Sequence, residues 1–254
     1  MAPVPTAPVP WSTIHGKAFV SESNCWTTCG GGFCCSNNNP DYQFQLIPTH
    51  GTTLIYLEQE YQWLVRHGTA PGPDNLGTVP NVLTFDFGGP QPLTLVQMPC
   101  HLLGKCTGII DKPLLCKLYP MLPILDIDGN LETIYPASVF DLTVEVRGFK
   151  TPCKVLDKRK EYFAKWQASG SDLECLRHPC LILYFQAAKH FADVYSEKLR
   201  SNEVLKGLTG KAFWKTWELQ YLAGELLDTG LLAQRICSSY ERLCGRHGRF
   251  LDET

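Results

Sequence analysis

The sequence predicts an α+β protein, in which a cysteine-rich half of loops and short hairpins packs with a C-terminal helical bundle. Apolar residues after about residue 155 recur at three- and four-residue intervals, the period of amphipathic helices. Before that point, short alternating runs flank glycine-containing turns, as they do in hairpins. Two windows dense in cysteine lie in the same half among Gly, Asn, Pro and Thr, which favour loops.

The first elements are predicted from proline content and periodicity. Residues 1–17 are expected to form a flexible Pro-rich arm, because repeated proline removes N–H donors and favours an extended backbone. Residues 42–47 alternate as a short strand does. Residues 53–67 carry leucines and a tyrosine at helical spacing, which predicts an amphipathic helix. Glu58 and Glu60 are expected on solvated faces of that helix.

Two hairpins and four helices are predicted in the rest of the chain. The first hairpin consists of strands at 82–87 and 93–98, and the second consists of strands at 123–127 and 131–135. The helices cover 155–167, 180–199, 211–227 and 231–244. Asp126 and Asp128 belong to the second hairpin turn and not to a calcium loop, because the downstream ligands of such a loop are missing. The aromatic stripe of Trp214, Trp217 and Tyr221 is expected to pack in the core.

Length and composition restrict the classes of function. The 254 residues are 44% hydrophobic and 19% charged with a formal net charge of -2, and Lys and Arg are spread thinly, which argues against nucleic-acid binding. No apolar stretch of the sequence reaches the roughly 18 to 20 residues of a membrane span. The first ten residues lack the charged and apolar regions of a signal peptide. A cytoplasmic protein is therefore expected.

The twelve cysteines of a protein in a reducing compartment are more naturally metal ligands than a disulfide framework. The first window, Cys25, Cys29, Cys34 and Cys35, has the spacing C-x3-C-x4-C-C, and closely spaced thiolates on a loop converge on one metal at little entropic cost. The adjacent Cys34 and Cys35 point apart, so they suit different irons better than one small tetrahedral ion. A secreted, disulfide-rich binding module is the alternative if the chain is exported.

The second window runs from Cys100 to Cys116 and ends in the segment Lys-Pro-Leu-Leu-Cys-Lys-Leu-Tyr-Pro at 112–120. The order of these motifs resembles the YkgJ-like cysteine-cluster family. In this order a C...C...CC run is followed by C-x5-C and then by a basic-Pro-x-x-Cys-basic-hydrophobic-Pro segment. That family is described as CxxCxxCC zinc- or iron-chelating proteins, some of them as flagellin N-methylases. The resemblance covers about residues 20–125. The wider gaps of the first window, and lysines in place of the usual arginines, depart from the family pattern.

The resemblance implies a metal centre in residues 18–154 and says nothing about the helical region 155–254. That region is expected to pack on the cysteine-rich part as one unit. The implied metal ligands are Cys25, Cys29, Cys34, Cys35, Cys100, Cys106, Cys116 and, as the downstream cysteine frequent in such proteins, Cys153. Because one [4Fe-4S] cluster uses four thiolates, these candidates suit one or two iron-sulfur clusters. Zinc is the alternative metal.

The remaining cysteines and one histidine have structural alternatives. Cys175 and Cys180 enclose a histidine and could add metal ligands, or they are ordinary thiols at a helix start. Cys237 and Cys244 share one face of a predicted helix and are expected in the core. His190 lies in an apolar helix and is expected to be a buried histidine with a hydrogen-bond partner.

The expected function is that of an iron-sulfur enzyme, which uses its cluster for redox or group-transfer chemistry, with methyl transfer as the resemblance implies. No catalytic residue can be named, because the sequence has no nucleophile elbow, H-E-x-x-H or three-cysteine radical motif. The substrate, a small molecule or a protein, and a partner protein in a biosynthetic or redox pathway stay open. The rival class is a binding or adaptor protein with structural zinc.

Overall fold

The computed structural model describes residues 8–20, 42–45, 53–68, 80–86, 92–99, 113–150, 153 and 156–251. Within these residues the elements are α1 (Trp11–Gly16), β1 (Thr53–Leu57), α2 (Glu58–Arg66), β2 (Asn81–Phe85), β3 (Leu93–Pro99), α3 (Leu114–Leu118), β4 (Met121–Leu125), β5 (Leu131–Pro136), α4 (Val139–Arg147), α5 (Arg159–Ala168), α6 (Gly170–Cys175), α7 (Pro179–Arg200), α8 (Gly210–Leu222) and α9 (Thr229–His247). The predicted α+β class is confirmed.

A three-stranded antiparallel sheet has the strand order β1-β3-β2. β2 and β3 form the first predicted hairpin, in which Phe85 pairs with Leu93. Thr53, at the beginning of β1, pairs with Pro99, at the end of β3. The two strand ends therefore lie side by side where the chain continues to Cys100.

The second predicted hairpin is also confirmed, because β4 and β5 pair in antiparallel register. Its turn is held by Asp126, whose Oδ1 accepts the N–H groups of Asp128 at 2.9 Å and Asn130 at 2.8 Å. Gly129 has φ 79°, a conformation that side chains with a Cβ rarely adopt. These bonds make the aspartate a turn residue, as predicted.

The N-terminal segment differs from the flexible arm predicted for residues 1–17. Residues 8–20 are described, and α1 places Trp11 and Ile14 in the core. Val9 and Phe19, on either side of the helix, are buried in the same cluster. Burial of these four apolar side chains outweighs the extended preference of the prolines. Residues 1–7 lie outside the described part of the chain.

Residues 53–67 do not form the single amphipathic helix that was predicted for them. Thr53–Leu57 is strand β1, and the helix begins only at Glu58. Leu54 and Tyr56 are both buried, so the strand period of two was hidden inside a pattern that also fits a helix. The predicted strand at 42–47 is also wrong where it is described, since residues 42–45 form no strand. Residues 46–47 lie outside the described ranges.

The helical half agrees with the sequence in its main elements and adds one shorter helix. The predicted helices correspond to α5, α7, α8 and α9, whereas α6 was missed, as was α4 in the preceding region. α4 has clear termini: the Ser138 hydroxyl accepts the N–H of Phe140 at 3.1 Å, and Gly148 ends the helix at φ 66°. α7 packs against both α9 and β4.

The largest core cluster contains residues of both predicted regions and of the predicted arm. Leu114 and Ile124 from region 18–154 and Trp11 from the arm share it with Leu183 and Leu243 from the helices. A second cluster surrounds α8, where Trp214 and Trp217 are buried as predicted, and Tyr221 packs at its edge. A third lies on the sheet. In the described part of the chain, no helix combines the length and apolar character that crossing a bilayer requires.

Candidate functional site

The predicted metal ligands are divided between described and undescribed segments. Cys116 and Cys153 are described, whereas Cys25, Cys29, Cys34, Cys35, Cys100 and Cys106 lie outside the described residues. Among the residues with described positions, no three His, Cys, Asp or Glu side chains converge as ligands of one metal ion. The structure therefore neither assembles the predicted centre nor separates its members.

Cys116 lies on α3, half-buried, and packs against the sheet cluster that contains Leu54 and Met98. Met98 is the penultimate residue of β3, and the next residue after the strand is Cys100. α3 contacts both β1 and β4, which hold it against this end of the sheet. The fold thus places Cys116 beside the strand that leads into the rest of the second window.

Cys153, the other described candidate, is buried in the largest core cluster. Its backbone carbonyl accepts the N–H of Leu156, the first residue of the turn that precedes α5. The side chain lies among apolar neighbours, an environment that also suits a neutral core thiol. Its role as a ligand stays a prediction.

Next to Cys116, the structure reveals three buried polar residues that come from three helices. His15 on α1 is 1% exposed, Glu60 on α2 is 2% exposed and Lys117 on α3 is 3% exposed. His15 Nε2 lies 3.5 Å from Glu60 Oε1. Ionisable groups are rarely buried to this extent unless they are paired and hydrogen-bonded. We call these residues the buried polar cluster.

Glu60 corrects the prediction that it lies on a solvated face. It is the third residue of α2, where its carboxylate reaches back to the backbone of Leu57, as in a capping box. Its Oε1 also accepts the N–H of Leu114 at 2.5 Å. That N–H belongs to the first residue of α3 and has no partner within its own helix. One carboxylate therefore serves the first turns of two helices.

Lys117 connects α3 to the C-terminal end of α1. Its Nζ donates to the carbonyl oxygen of His15 at 2.6 Å and to that of Lys17 at 3.1 Å. The last carbonyls of a helix lack partners within it and carry partial negative charge, so an ammonium group suits them. Lys117 directly follows Cys116, and Lys17 stands shortly before the first cysteine window.

Burial dominates the electrostatics of the buried polar cluster. It raises the pKa of Glu60 to about 8, against the opposing effects of the Leu114 N–H group and the Lys117 charge. Burial also raises the pKa of Tyr184 on α7, and the charges of Glu60 and then Cys116 raise it further. Tyr184 is thus close enough for the charges of both Glu60 and the Cys116 thiol to affect its pKa.

An aromatic stack extends from the buried polar cluster to the surface. The His15 ring stacks on Trp63 at 4.7 Å with an interplanar angle of 7°. Trp63 in turn stacks on the exposed His67 at 3.9 Å. Flat aromatic faces cover the cluster on this side and keep water from it.

Cys175 and Cys180 favour the structural alternative over the ligand alternative. Cys180 is buried and its Sγ donates to the carbonyl of Phe250 at 3.6 Å, and burial raises its pKa to about 12. Cys175 donates from Sγ to the carbonyl of Asp172 at 3.0 Å. The enclosed His178 uses Nδ1 to accept the N–H of Cys180 and caps α7. Protonated thiols engaged in this way are poor metal ligands.

Two other predictions concern the helices α7 and α9. His190 has the expected hydrogen-bond partner, because its Nε2 lies 2.8 Å from Ser239 Oγ. It is half-buried, and desolvation lowers its pKa. Cys244 packs at the edge of the largest core cluster, whereas Cys237 is half-buried. The bond between His190 and Ser239 links α7 to α9.

Sequence reasoning missed the whole buried polar cluster. His15 was hidden in the expected arm and Glu60 on an expected solvated face. The available signal was the segment Leu114–Leu118, where Lys117 is the one charged residue in a short apolar run between two prolines. A lysine in such a run is a candidate for burial with partners.

Comparisons of the chain with protein-family models, with curated proteins and with solved structures return no match. The resemblance to the YkgJ-like family therefore depends on the cysteine spacing and the Lys112–Pro120 segment alone. It stays a prediction, together with the ligands and the metal that it implies.

Proposed function

We propose that this chain is a cytoplasmic iron-sulfur protein, an enzyme for redox or group-transfer chemistry, whose centre is held by the thiolates of the two cysteine windows. The single observation that carries the proposal is the pair of hydrogen bonds between Lys117 and the segment that precedes the first window. Lys117, next to Cys116, donates to the carbonyls of His15 and Lys17, at the approach to the first window. The last thiol of the second window therefore lies close to the segment that leads towards the first window, which suits one shared centre.

The described thiol beside this point fits a metal ligand. Cys116 is half-buried, on a short helix fixed at its first residue by Glu60 and at Lys117 by α1. Ligands held by packing and by outer hydrogen bonds bind metal more tightly than mobile ones. By contrast, Cys180 is sealed in the core, and we leave it and Cys175 out of the ligand set.

When bound, one or two [4Fe-4S] clusters would supply electron transfer or an open iron site. The residues of the chain itself contribute the surroundings. Trp63 and His15 exclude water on one side, and Lys117 brings positive charge next to Cys116. Positive charge and low solvent exposure are two of the features that set cluster potentials. A substrate and a partner protein stay unassigned.

Anaerobic purification followed by iron, zinc and acid-labile sulfide analysis, with a visible spectrum, tests the proposal. About four to eight irons per chain with matching sulfide are expected for one or two clusters. One or two zinc ions per chain and a colourless protein would replace the enzyme with a binding or adaptor protein stabilised by structural zinc. A protein that holds neither metal and no free thiols would indicate the disulfide-rich alternative.

A further inference from the structure

The strongest unassigned feature of the molecule is the buried ammonium group of Lys117. Moving such a group out of water costs several kcal/mol unless hydrogen bonds and opposite charge compensate. Two backbone carbonyls accept from it, and the Glu60 carboxyl group lies close enough for its pKa to be lowered by the lysine charge. An apolar side chain would fill the same position without this cost, so the charge needs a reason beyond packing.

The contacts of Lys117 fix the geometry of the segment that carries Cys116. α3 has five residues, too few to be stable alone. Glu60 holds its first residue through the Leu114 N–H, and Lys117 ties its last turn to α1. With both ends fixed, the rotation of α3 about its axis is fixed as well. The direction of the Cys116 side chain follows from that rotation.

We propose that Lys117 is a positioning residue that holds α3, and with it Cys116, against residues 15–17 at the C-terminal end of α1, and that Glu60 supports it from the other end of α3. The role in metal binding depends on the proposed function above. The placement of Cys116 near the C-terminal end of α1 does not, because it concerns contacts of Lys117 that the protein makes without metal. Lys117 acts through Cys116 and is not itself a ligand.

The test compares Lys117→Met, which keeps the chain length but removes the donors, with Lys117→Arg, which keeps a cationic donor. Tyr195→Phe serves as a destabilised control, because Tyr195 is buried in the second core cluster with bonds to Thr143 and Trp217. Denaturant unfolding of all variants establishes the loss of stability that each one carries. If Lys117→Met does not fold, Lys117→Gln takes its place.

The first readout needs no metal. The metal-free protein is treated with diamide, and disulfides that link a cysteine of 25–35 to one of 100–116 are counted by mass spectrometry. Lys117→Met should lose most of these cross-window disulfides, while Lys117→Arg and Tyr195→Phe keep them. Equal yields in Lys117→Met and the wild type would overturn the inference.

The second readout is the rate at which the purified, metal-loaded protein loses metal to a chelator. Lys117→Met should lose it roughly 10- to 100-fold faster, the range found when outer residues that orient metal ligands are removed. Faster loss in Tyr195→Phe to the same degree would show a mere stability effect and overturn the positioning role. A wild-type protein without metal would refute the proposed function, and the disulfide readout would still decide whether Lys117 positions Cys116.

Discussion

Asp141 lies fully inside the protein with only part of its hydrogen-bonding capacity used. Tyr119 donates its hydroxyl to Oδ2 at 2.7 Å, whereas Oδ1 has no hydrogen-bond partner within the described structure. Burial raises the pKa of Asp141 to about 6, and the Tyr119 bond opposes this only in part. The folded state therefore binds the proton of this carboxyl group more tightly than the unfolded chain does.

Asp141→Asn should change how stability depends on pH. Between pH 4 and 6 the folded wild type binds more protons at Asp141 than the unfolded chain does, so its stability falls as pH rises. The stability of the wild type relative to Asp141→Asn should thus fall by up to roughly 3 kcal/mol over this window and stay constant above pH 7. Urea unfolding at several pH values measures the difference.

The matched control for this change is Asp157→Asn, an exposed aspartate on the turn before α5. Its pH profile should follow that of the wild type. A difference between wild type and Asp141→Asn that is the same at pH 4 and pH 7 would contradict the raised pKa.

Tyr195 joins two elements through one buried hydroxyl. Its oxygen lies 2.5 Å from Thr143 Oγ1 on α4 and accepts from Trp217 Nε1 on α8 at 2.6 Å. Tyr195→Phe leaves two buried groups without this partner and should cost roughly 2 to 4 kcal/mol. Urea unfolding of Tyr195→Phe, Thr143→Val and the double variant measures these losses of stability. The stability lost in the double variant should be smaller than the sum of the two single losses. Full additivity would show that the hydrogen bond between Tyr195 and Thr143 contributes nothing.

At the scale of elements, helix ends show where local signals suffice and where they do not. Ser138 and Gly148 enclose α4 with sequence-local caps. α3 follows Pro113, which offers no side-chain cap, and the Glu60 carboxylate from α2 takes that place. A cap supplied by a distant residue leaves no local pattern for sequence reasoning to find.

Ser138→Ala should destabilise the protein by about 1 kcal/mol, because the first N–H groups of α4 lose their acceptor. Thermal unfolding followed by circular dichroism measures the change. Ser201→Ala is the control: its exposed hydroxyl donates to the Lys198 carbonyl at the C-terminal end of α7, and removal should stay within about 0.5 kcal/mol. Equal effects of both substitutions would contradict the cap.

At the scale of the whole molecule, the cysteine windows are predicted to bind one metal centre together. Cys34→Ala in the first window and Cys116→Ala in the second should each lower the metal content and the stability of the chain, because one missing thiolate opens a shared centre. Metal analysis after anaerobic purification measures this. Cys237→Ala, a half-buried cysteine on α9, should leave the metal content unchanged. Full occupancy in both window variants would refute a shared centre.

The sequence by itself determined the hairpins at β2-β3 and β4-β5 and the helices α5, α7, α8 and α9. Each is encoded by a period or a turn signal that lies within a few residues, such as Asp126 and Gly129 in the second turn. It also indicated the cysteine windows as the candidate site, because the spacing of cysteines along the chain can be recognised without knowing the fold. Whether those thiols meet depends on contacts between segments far apart in the chain.

The tertiary structure decided the features that depend on distant partners. Residues 53–57 became strand β1 because β3 was available to pair with them, although their pattern also fits a helix. The N-terminal segment became α1 because the core accepted Trp11 and Ile14. Glu60 became buried because two residues more than fifty positions away offset the cost of taking its carboxyl group out of water. Leu114 donates its N–H to this group, and Lys117 supplies positive charge. Burial free energy is a property of the neighbours, and only the fold assigns neighbours.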